Sequence, residues 1–322
     1  MSADTDGGRS MRVLVTGANG FAGRWLTTEL DAAGHVVVPF GPDLSVRDAG
    51  ALIEAVADAR PDAVAHLAAV AFAPDAAAAS ETAFEVAVRG TLNVCEAVRQ
   101  QAQPPALLVT SSSEVYGPPA PHELPLTESA VLRPSTPYAL SKAGQESVAL
   151  AYAARYSLRA VVTRSFNHAG PGQRREFVVP ALATRVLAVA NGDAADVPVG
   201  NLDVRRDISD VRDVVRAYRL LLEGMVKQAL GGGGSVVNVS SGRSVSIRQV
   251  LEELCRLAGI EPTLRVDPLL VRREDAPDIR GNHALLTRLT GWQPAWTFDQ
   301  TLASVWSDVS PTEPPQRAAT VR

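Results

Sequence analysis

The most constraining feature of the sequence is a glycine-rich turn near its start. A β-branched run from Arg12 to Thr16 precedes Gly17, Gly20 and Gly23, and an amphipathic stretch follows from Phe21 to Ala33. In a strand–turn–helix unit the first glycine permits a tight turn, the second lets the backbone approach a pyrophosphate, and the third lets the helix pack closely on the strand. The helix N-terminus attracts the negative charge. This pattern predicts a dinucleotide site; the alternative is a purely structural turn.

Strand and helix patterns alternate along the first half of the chain. Further strands are predicted at Val36 to Phe40, Ala63 to Leu67, Leu107 to Ser111 and Arg159 to Arg164. Helices are predicted at Ala49 to Ala59, Glu81 to Gln101 and Tyr138 to Tyr156. This alternation predicts an α/β fold, a Rossmann-type doubly wound parallel sheet with helices on both faces.

The pattern becomes less regular after Ser165, where proline and glycine interrupt mixed apolar segments. We therefore expect a dinucleotide-binding domain over residues 11–170 and a smaller C-terminal substrate-binding lobe over residues 171–310. Within that lobe, residues 207–240 are expected to return to the Rossmann sheet, with a strand at Val236 to Val239 and then a helix at Ile247 to Ala258. Residues 1–10 and 311–322 are expected to be disordered or frayed tails.

Charge and composition exclude several classes of partner. The formal net charge is −4 and the sequence pI is about 5.8, which provides no overall basic field for nucleic acid or acidic lipid. No segment approaches the roughly 18–20 uninterrupted apolar residues that a membrane span needs. Cys95 and Cys255 have no neighbouring Cys or His at metal-ligand spacing, so we expect free thiols, no metal site and a cytoplasmic location.

Tyr138 and Lys142 form the candidate proton-transfer pair, because residues at i and i+4 share one face of a helix. A free tyrosine has a pKa of roughly 10, and a nearby cation lowers it, which makes the phenol a usable proton donor or acceptor near neutral pH. The only lysines are Lys142 and Lys227. The bulky fork of arginine cannot replace a compact ammonium that must reach both a ribose and a tyrosine. The alternative is a surface helix on which the two residues lie four apart by chance.

Hydroxyl side chains end the strand that precedes this helix. Ser111, Ser112 and Ser113 are followed by Glu114. Ligands in this architecture bind at the carboxyl edge of the parallel strands, so the serines are expected beside the cofactor and near the tyrosine.

Taken together, these residues resemble the extended short-chain dehydrogenase/reductases, the nucleotide-sugar epimerase and dehydratase group. The resemblance extends from Met11 to about Val305. Its motifs are the glycine turn, His66 to Ala69, Ser111 to Gly117, Tyr138 with Lys142, Ser165 to Gln173 and Gly200 to Val214. The last two look most like the branch that holds GDP-mannose 4,6-dehydratase and GDP-6-deoxy-4-keto-mannose reductase.

The resemblance implies roles for individual residues. Tyr138 is the general acid or base, Lys142 binds the ribose and lowers the pKa of Tyr138, and Ser112 or Ser113 donates to the C4 oxygen of the sugar. The implied cofactor contacts are Gly17, Asn19, Gly20, Phe21, Ala22, Gly23, Arg24, Asp43, Leu44, Leu67, Ala68 and Ala69, together with Tyr138 and Lys142. The implied nucleotide-sugar contacts are Asn167, Val178, Arg206 and Arg272, with the two arginines clamping the diphosphate. For Arg206 the alternative is an ordinary salt bridge with Asp207. His66 and His168 are expected to be packed or hydrogen-bonded near the site.

Cofactor choice depends on the end of the second strand, where an acidic residue binds a free ribose and an arginine accepts a 2′-phosphate. Gly41 and Pro42 stand there instead. Asp43 is placed to reach the adenine or ribose and Arg24 to reach a phosphate, although each could equally be a solvated surface residue. NADP is preferred, and NAD is the alternative.

The resemblance implies hydride transfer at the hexose C4 and leaves the reaction open. A dehydratase also needs a carboxylate base, and Glu114 stands where dehydratases keep it, but related reductases look alike there. GDP-mannose dehydratases resemble one another in a long arginine-bearing loop after the second strand, and this chain instead runs from Phe40 directly to Asp43 and Leu44. We therefore expect reduction of GDP-4-keto-6-deoxy-mannose. A dehydratase, a 4-epimerase and a non-catalytic NAD(P) sensor are the alternatives, and a homodimer through a four-helix bundle is the implied assembly.

Overall fold

Strands and helices alternate over the first half of the chain in the computed structural model, which describes residues 10–41, 43–229, 233–271 and 275–310. The strands are β1 (Arg12–Thr16), β2 (Val36–Pro39), β3 (Ala63–His66), β4 (Ala106–Ser112) and β5 (Ala160–Ser165). The helices are α1 (Phe21–Ala32), α2 (Ala49–Ala59), α3 (Ala73–Ala78), α4 (Ser80–Phe84), α5 (Gly90–Arg99) and α6 (Pro137–Tyr156). The five strands and the helices α1, α2 and α6 match the predicted bounds to within about one residue, whereas α3 was not predicted.

One predicted helix is interrupted. The stretch from Glu81 to Gln101 contains a wider π-helical turn, Glu85–Arg89, between α4 and α5. Immediately after it, Gly90 packs so closely on Val46 that an added Cβ would lie 2.7 Å from Val46 Cγ2. The extra residue of a π turn rotates the following helix about its axis, which the apolar periodicity alone does not reveal.

The second half of the chain is a mixture of short strands and longer helices. The strands are β6 (Asn167–Ala169), β7 (Asp196–Val199), β8 (Arg205–Asp210), β9 (Ser235–Val239), β10 (Ser244–Ser246), β11 (Thr263–Val266) and β12 (Asp278–Ile279). The helices are α7 (Val178–Ala190), α8 (Val211–Val226), α9 (Ile247–Ala258), α10 (Ala284–Thr290) and α11 (Phe298–Val309). The predicted tails lie, apart from Ser10, outside the described residues.

Within the described residues, six parallel strands form the main sheet in the order β2-β1-β3-β4-β5-β9. The chain leaves β1 toward one edge of the sheet and crosses back to place β3 on the other side of β1. Ligands bind at such a switch point, outside the carboxyl ends of the strands. Strand β9 joins the sheet beside β5, and α8 packs with α1 on one face.

Two hydrophobic layers enclose the sheet, as the alternating side chains of β1 illustrate. Val13 and Val15 pack into the layer with α1 and α8, whereas Leu14 packs into the layer with α2, α5 and α6. A separate core joins α7, α9 and α11 to β7 and β8. In the described part of the chain, every helix is too short or too polar to span a bilayer.

Candidate active site

The three glycines of the turn after β1 each have a distinct steric environment. Gly17 has φ +72°, and a Cβ there would lie 2.8 Å from the backbone nitrogen of Ala68, so the turn packs directly against the end of β3. A Cβ at Gly23 would collide with the carbonyl oxygen of Gly17. A Cβ at Gly20 would meet only that same oxygen, at 3.2 Å. Gly17 and Gly23 therefore permit close packing, whereas a Cβ at Gly20 would meet a single backbone atom.

The first turn of α1 is suited to an anion. Gly20 is the N-cap, no side chain caps the helix, and its first turn carries no acidic residue. The N–H groups of Phe21, Ala22 and Gly23 have no intrahelical acceptors at this position, and the helix dipole favours negative charge there. These residues fit the pyrophosphate of a dinucleotide.

Arg24 connects the glycine turn to the segment that follows β6. Its guanidinium donates to the carbonyl oxygens of Asn19 (2.9 Å) and Gly172 (3.0 Å), and Trp25 Nε1 donates to Pro171 (3.1 Å). Arg24 thus lies beside the turn while holding the two segments together.

The other predicted cofactor residues surround the same switch point. Asp43 and Leu44 are exposed just beyond the end of β2, where Leu44 donates a backbone hydrogen bond to Gly41. Half-buried Leu67, Ala68 and Ala69 follow β3, beside Gly17.

Tyr138 and Lys142 both meet the carboxyl end of β4. Helix α6 begins at Pro137, a residue that suits the first turn of a helix. The preceding Thr136 caps the helix by accepting a hydrogen bond from the Ala139 N–H. The Lys142 ammonium donates to the carbonyl oxygen of Thr110 at 2.8 Å. Two residues further along β4, the Ser112 side chain lies near the Tyr138 hydroxyl and influences its pKa.

The pKa of Tyr138 is raised, whereas the sequence predicts that it is lowered. Burial raises it above its ordinary value, and the nearby Glu114 carboxylate raises it further, against the lowering effect of Ser112. The expected lowering by Lys142 is therefore wrong. The physical reason is that the ammonium of Lys142 is turned toward Thr110 and Gln145.

Burial also lowers the pKa values of two other groups, Lys142 and His66. It lowers the pKa of Lys142 to about 8, against the opposing effect of Glu146. It lowers the pKa of His66 to about 3, with Lys142 adding to the shift. The neutral His66 ring hydrogen-bonds with Thr16 Oγ1 (2.7 Å) and Thr91 Oγ1 (3.0 Å), so it links β1 to α5. His66 is a packing residue, as expected.

Ser113 and Glu114 begin a short 3-10 helix after β4. Ser112 Oγ accepts from the Glu114 N–H at 3.2 Å, which turns the chain at this point. Ser113 is buried. The charge of the Glu114 carboxylate acts on Tyr138 and raises the pKa of the phenol.

Three buried residues behind the site were missed by the sequence analysis. Gln145 accepts from Lys142 Nζ at 2.9 Å, and Glu146 accepts from Ser111 Oγ at 2.5 Å and from Arg164 at 2.8 Å. A signal was available for one of them, because Glu146 lies four residues after Lys142 and so continues the helix face of the predicted pair.

The predicted substrate residues lie in or near the second lobe. Asn167 is exposed on β6, and Val178 is exposed at the start of α7. Arg206 is buried on β8, where it donates to the carbonyl of Ala276 (2.8 Å) and pairs with Asp275. Arg272 lies outside the described residues.

The alternative partner considered for Arg206 is wrong. The Asp207 side chain points elsewhere and accepts from Ser241 N–H and Oγ, from Gly242 N–H and from Gly281 N–H. Neighbouring residues on a strand point to opposite faces, which separates Asp207 from Arg206.

Known proteins with similar sequences are nucleotide-sugar enzymes. A family model described as GDP-mannose 4,6 dehydratase matches residues 40–305. The chain is 37% identical over 306 residues to GDP-6-deoxy-D-mannose reductase of Pseudomonas aeruginosa, which covers 93% of this chain and 97% of that protein. It is 30% identical over 277 residues to dTDP-glucose 4,6-dehydratase of Neisseria meningitidis, covering 80% and 75%.

A solved structure agrees with these matches. The structure of RMD from Pseudomonas aeruginosa complexed with NADPH superposes with a TM-score of 0.85 at 35% identity, covering 93% of this chain and 99% of that one. The family match covers more than half of the chain, including β3 to β5 and helix α6. The chain belongs to the GDP-mannose 4,6 dehydratase family, within the extended short-chain dehydrogenase/reductases.

Proposed function

We propose that this protein is a reductase that uses NADPH to reduce the C4 ketone of GDP-4-keto-6-deoxy-mannose to a GDP-6-deoxyhexose. The observation that carries the proposal is the meeting of Ser112, Tyr138 and Lys142 at the end of β4, beside the anion-binding turn of α1. The 37% identity to a protein named GDP-6-deoxy-D-mannose reductase supports the choice of substrate.

The side chains at the end of β4 divide the proton chemistry among them. Tyr138 gives its hydroxyl proton to the C4 oxygen, and Ser112, with Ser113 as the alternative, donates a hydrogen bond that polarises the ketone. Lys142 holds the cofactor ribose. When bound, the reduced nicotinamide supplies the hydride.

The cofactor is assigned to the turn between β1 and α1 and to the two strand ends beside it. Gly17, Gly20 and Gly23 give the pyrophosphate access, with Arg24 next to the turn. Asp43 and Leu44 take the adenosine end, and Leu67, Ala68 and Ala69 lie along the opposite side. NADPH is favoured by the similar structure that holds it, and NAD is the second candidate.

The nucleotide sugar is assigned to the lobe over residues 171–310, with residues 11–170 as the dinucleotide domain. Asn167, Val178, Arg206 and Arg272 are its proposed contacts. For Arg206, binding a diphosphate means exchanging the Asp275 carboxylate for phosphate oxygens, which the guanidinium fork accommodates in the same bidentate manner.

A 4,6-dehydratase is the second candidate function, and Glu114 favours it. A dehydratase needs a carboxylate base beside the C4 centre, and Glu114 lies close enough to Tyr138 to raise the pKa of the phenol. The short connection from β2 to α2 favours the reductase, since it lacks a long arginine-bearing loop. Glu114→Gln separates the two: a reductase retains most of its activity, whereas a dehydratase loses it.

The direct test is to incubate the protein with NADPH and a panel of keto and hydroxy nucleotide sugars while following NADPH absorbance. A reductase consumes NADPH in proportion to GDP-4-keto-6-deoxy-mannose. An epimerase interconverts hydroxy sugars without net consumption, and a redox sensor binds NADPH and consumes none. Absence of consumption with every keto sugar contradicts the proposal.

We also infer a homodimer built on α4, α5 and α6. An apolar groove of about 360 Å³ on this face is lined by Phe84, Val88, Leu92 and Val148, and Phe84 and Leu92 are more than one-third exposed. Pairing with the same helices of a second copy covers these side chains in a four-helix bundle. Leu92→Glu is expected to give monomers in sedimentation velocity; a monomeric wild-type protein contradicts the inference.

The proposed location is the cytoplasm. Cys95 and Cys255 are free thiols, and Cys95 is buried, which suits a reducing compartment that also supplies NADPH. Cell fractionation with an antibody to the protein tests this assignment, and recovery outside the cytoplasmic fraction contradicts it.

A further inference from the structure

The ammonium of Lys142 is held by two neutral oxygen acceptors. One is the carbonyl oxygen of Thr110, on β4, at 2.8 Å. The other is Oε1 of Gln145, one helical turn further along α6, at 2.9 Å. Lys142 and Gln145 are both buried, and Gln145 has no exposed surface. An ammonium has three N–H donors, and the described residues accept from two of them.

The orientation of the Gln145 amide follows from these contacts. Its Nε2 is buried and has no hydrogen-bond partner in the described part of the protein. Turning the amide over would place two donors against each other at Lys142 and would break the bond to Nζ. A buried amide N–H without a partner is unfavourable in free energy. The hydrogen bond that Lys142 donates to Gln145 Oε1 offsets this cost, because the donor is charged.

We propose that Gln145 is a positioning residue for Lys142: its carbonyl oxygen fixes the ammonium against the end of β4 without adding a negative charge beside it. The proposal deepens the proposed function, since it concerns the residue assigned to the cofactor ribose. It requires that position 145 be an uncharged hydrogen-bond acceptor.

The charges around Lys142 explain why an uncharged acceptor matters. On α6, Glu146 raises the pKa of Lys142 but is itself bound by Arg164 of β5. On β3, His66 is neutral near pH 7 because its pKa is lowered to about 3. Tyr138, also on α6, is neutral because its pKa is raised. Burial therefore dominates and leaves the pKa of Lys142 at about 8. A carboxylate at position 145 would stabilise the charged ammonium directly and would raise the pKa of Lys142.

The test is the titration of Lys142 by NMR in full-length protein labelled with ¹³C,¹⁵N-lysine. The chain has only two lysines, so the spectrum contains two side-chain signals, and Lys227→Arg identifies the one from exposed Lys227. Gln145→Glu is expected to raise the titration midpoint of Lys142 by about 1–3 pH units, as an opposite charge at this distance does. Gln145→Met, of similar volume and without an acceptor, is expected to lower it.

Cofactor affinity gives a second readout that does not depend on turnover. Loss of a hydrogen bond to a charged group lowers an equilibrium constant by about tenfold or more. Gln145→Met is therefore expected to raise the dissociation constant of NADPH by about tenfold in fluorescence titration. Ser147→Ala, on the exposed side of the same helix, is the matched control and leaves both readouts unchanged. Unshifted Lys142 midpoints in both folded Gln145 variants overturn the proposal.

Two further measurements keep the outcome decisive. If the variants do not fold, the wild-type protein is used: the Lys142 ammonium protons are expected to exchange with water far more slowly than those of Lys227, and equal rates overturn the proposal. If wild-type protein consumes no NADPH with any nucleotide sugar, the proposed function fails while the Lys142 titration still judges the role of Gln145.

Discussion

Arg164 and Glu146 form an ion pair of 2.8 Å in which both side chains are buried, directly behind the end of β4. The guanidinium makes two further bonds to the same carboxylate, and Ser111 donates to that carboxylate as well. Tyr116 and its partner Asn238 extend the network toward β9. The arrangement fixes α6 relative to β4 and β5, and so fixes where Tyr138 and Lys142 meet the strand ends.

Removing one member of this pair is therefore expected to be costly. Glu146→Gln leaves a buried guanidinium without its countercharge, which typically destabilises by about 3–5 kcal/mol. Chemical denaturation measures the change. The matched control is Asp203→Asn, which breaks the exposed Asp203–Arg248 pair of similar length, 2.9 Å, and should change stability little. Equal effects of the two substitutions would contradict the structural role assigned to Glu146.

The pH dependence of turnover is expected to follow Lys142. Burial lowers the pKa of this ammonium to about 8, so its charge is present below that pH and is lost as the pH rises through it. The rate of reduction should be level below about pH 7 and fall above about pH 8. His66, with a pKa of about 3, contributes no acidic limb near neutrality. The profile of kcat/KM tests this, and a rate that rises above pH 8 contradicts it.

Tyr138→Phe tests the proton donor by removing only the phenolic hydroxyl. Turnover is expected to fall by about 10²–10⁴-fold, because the phenol supplies the proton to the C4 oxygen. NADPH affinity should change little in a fluorescence titration. Tyr156→Phe, at the partly exposed C-terminal end of the same helix, is the control and should retain activity. Near-full activity of the Tyr138 variant would end the assignment.

The glycine turn makes a steric prediction. In Gly23→Ala the new Cβ collides with the carbonyl oxygen of Gly17, and the turn must move away from the pyrophosphate position. Overpacking of this kind lowers the free energy of unfolding by about 1–3 kcal/mol. The free energy of NADPH binding should become less favourable by at least the same amount. At Gly50, a Cβ would meet only Asp48 Oδ1, at 3.4 Å, so Gly50→Ala is the control. Calorimetric titration with NADPH measures both, and unchanged affinity in the Gly23 variant contradicts this reading of the turn.

Local sequence patterns were sufficient to predict much of the fold. The alternating strands and helices follow from apolar periodicity, and the turn from its glycines, because each signal lies within one short segment. The spacing of Tyr138 and Lys142 also predicted a shared helix face, and both residues do meet β4.

Contacts between distant segments were not predictable in the same way. The pairing of Arg206 with Asp275 joins residues 69 apart in the chain and depends on how β12 docks beside β8. The pKa of Tyr138 was predicted in the wrong direction because burial, which depends on the packed structure, outweighs a neighbour known from spacing. Gln145 had no local signal, since a glutamine on a helix is commonly exposed.

Mass spectrometry of the nucleotide sugar after reaction distinguishes reduction of the C4 ketone from dehydration. With NADPH and GDP-4-keto-6-deoxy-mannose, the account predicts a product heavier than the substrate by two hydrogen atoms, formed in step with NADPH oxidation. Formation of a product lighter by one water from GDP-mannose, with no reduction of the keto sugar, would contradict it.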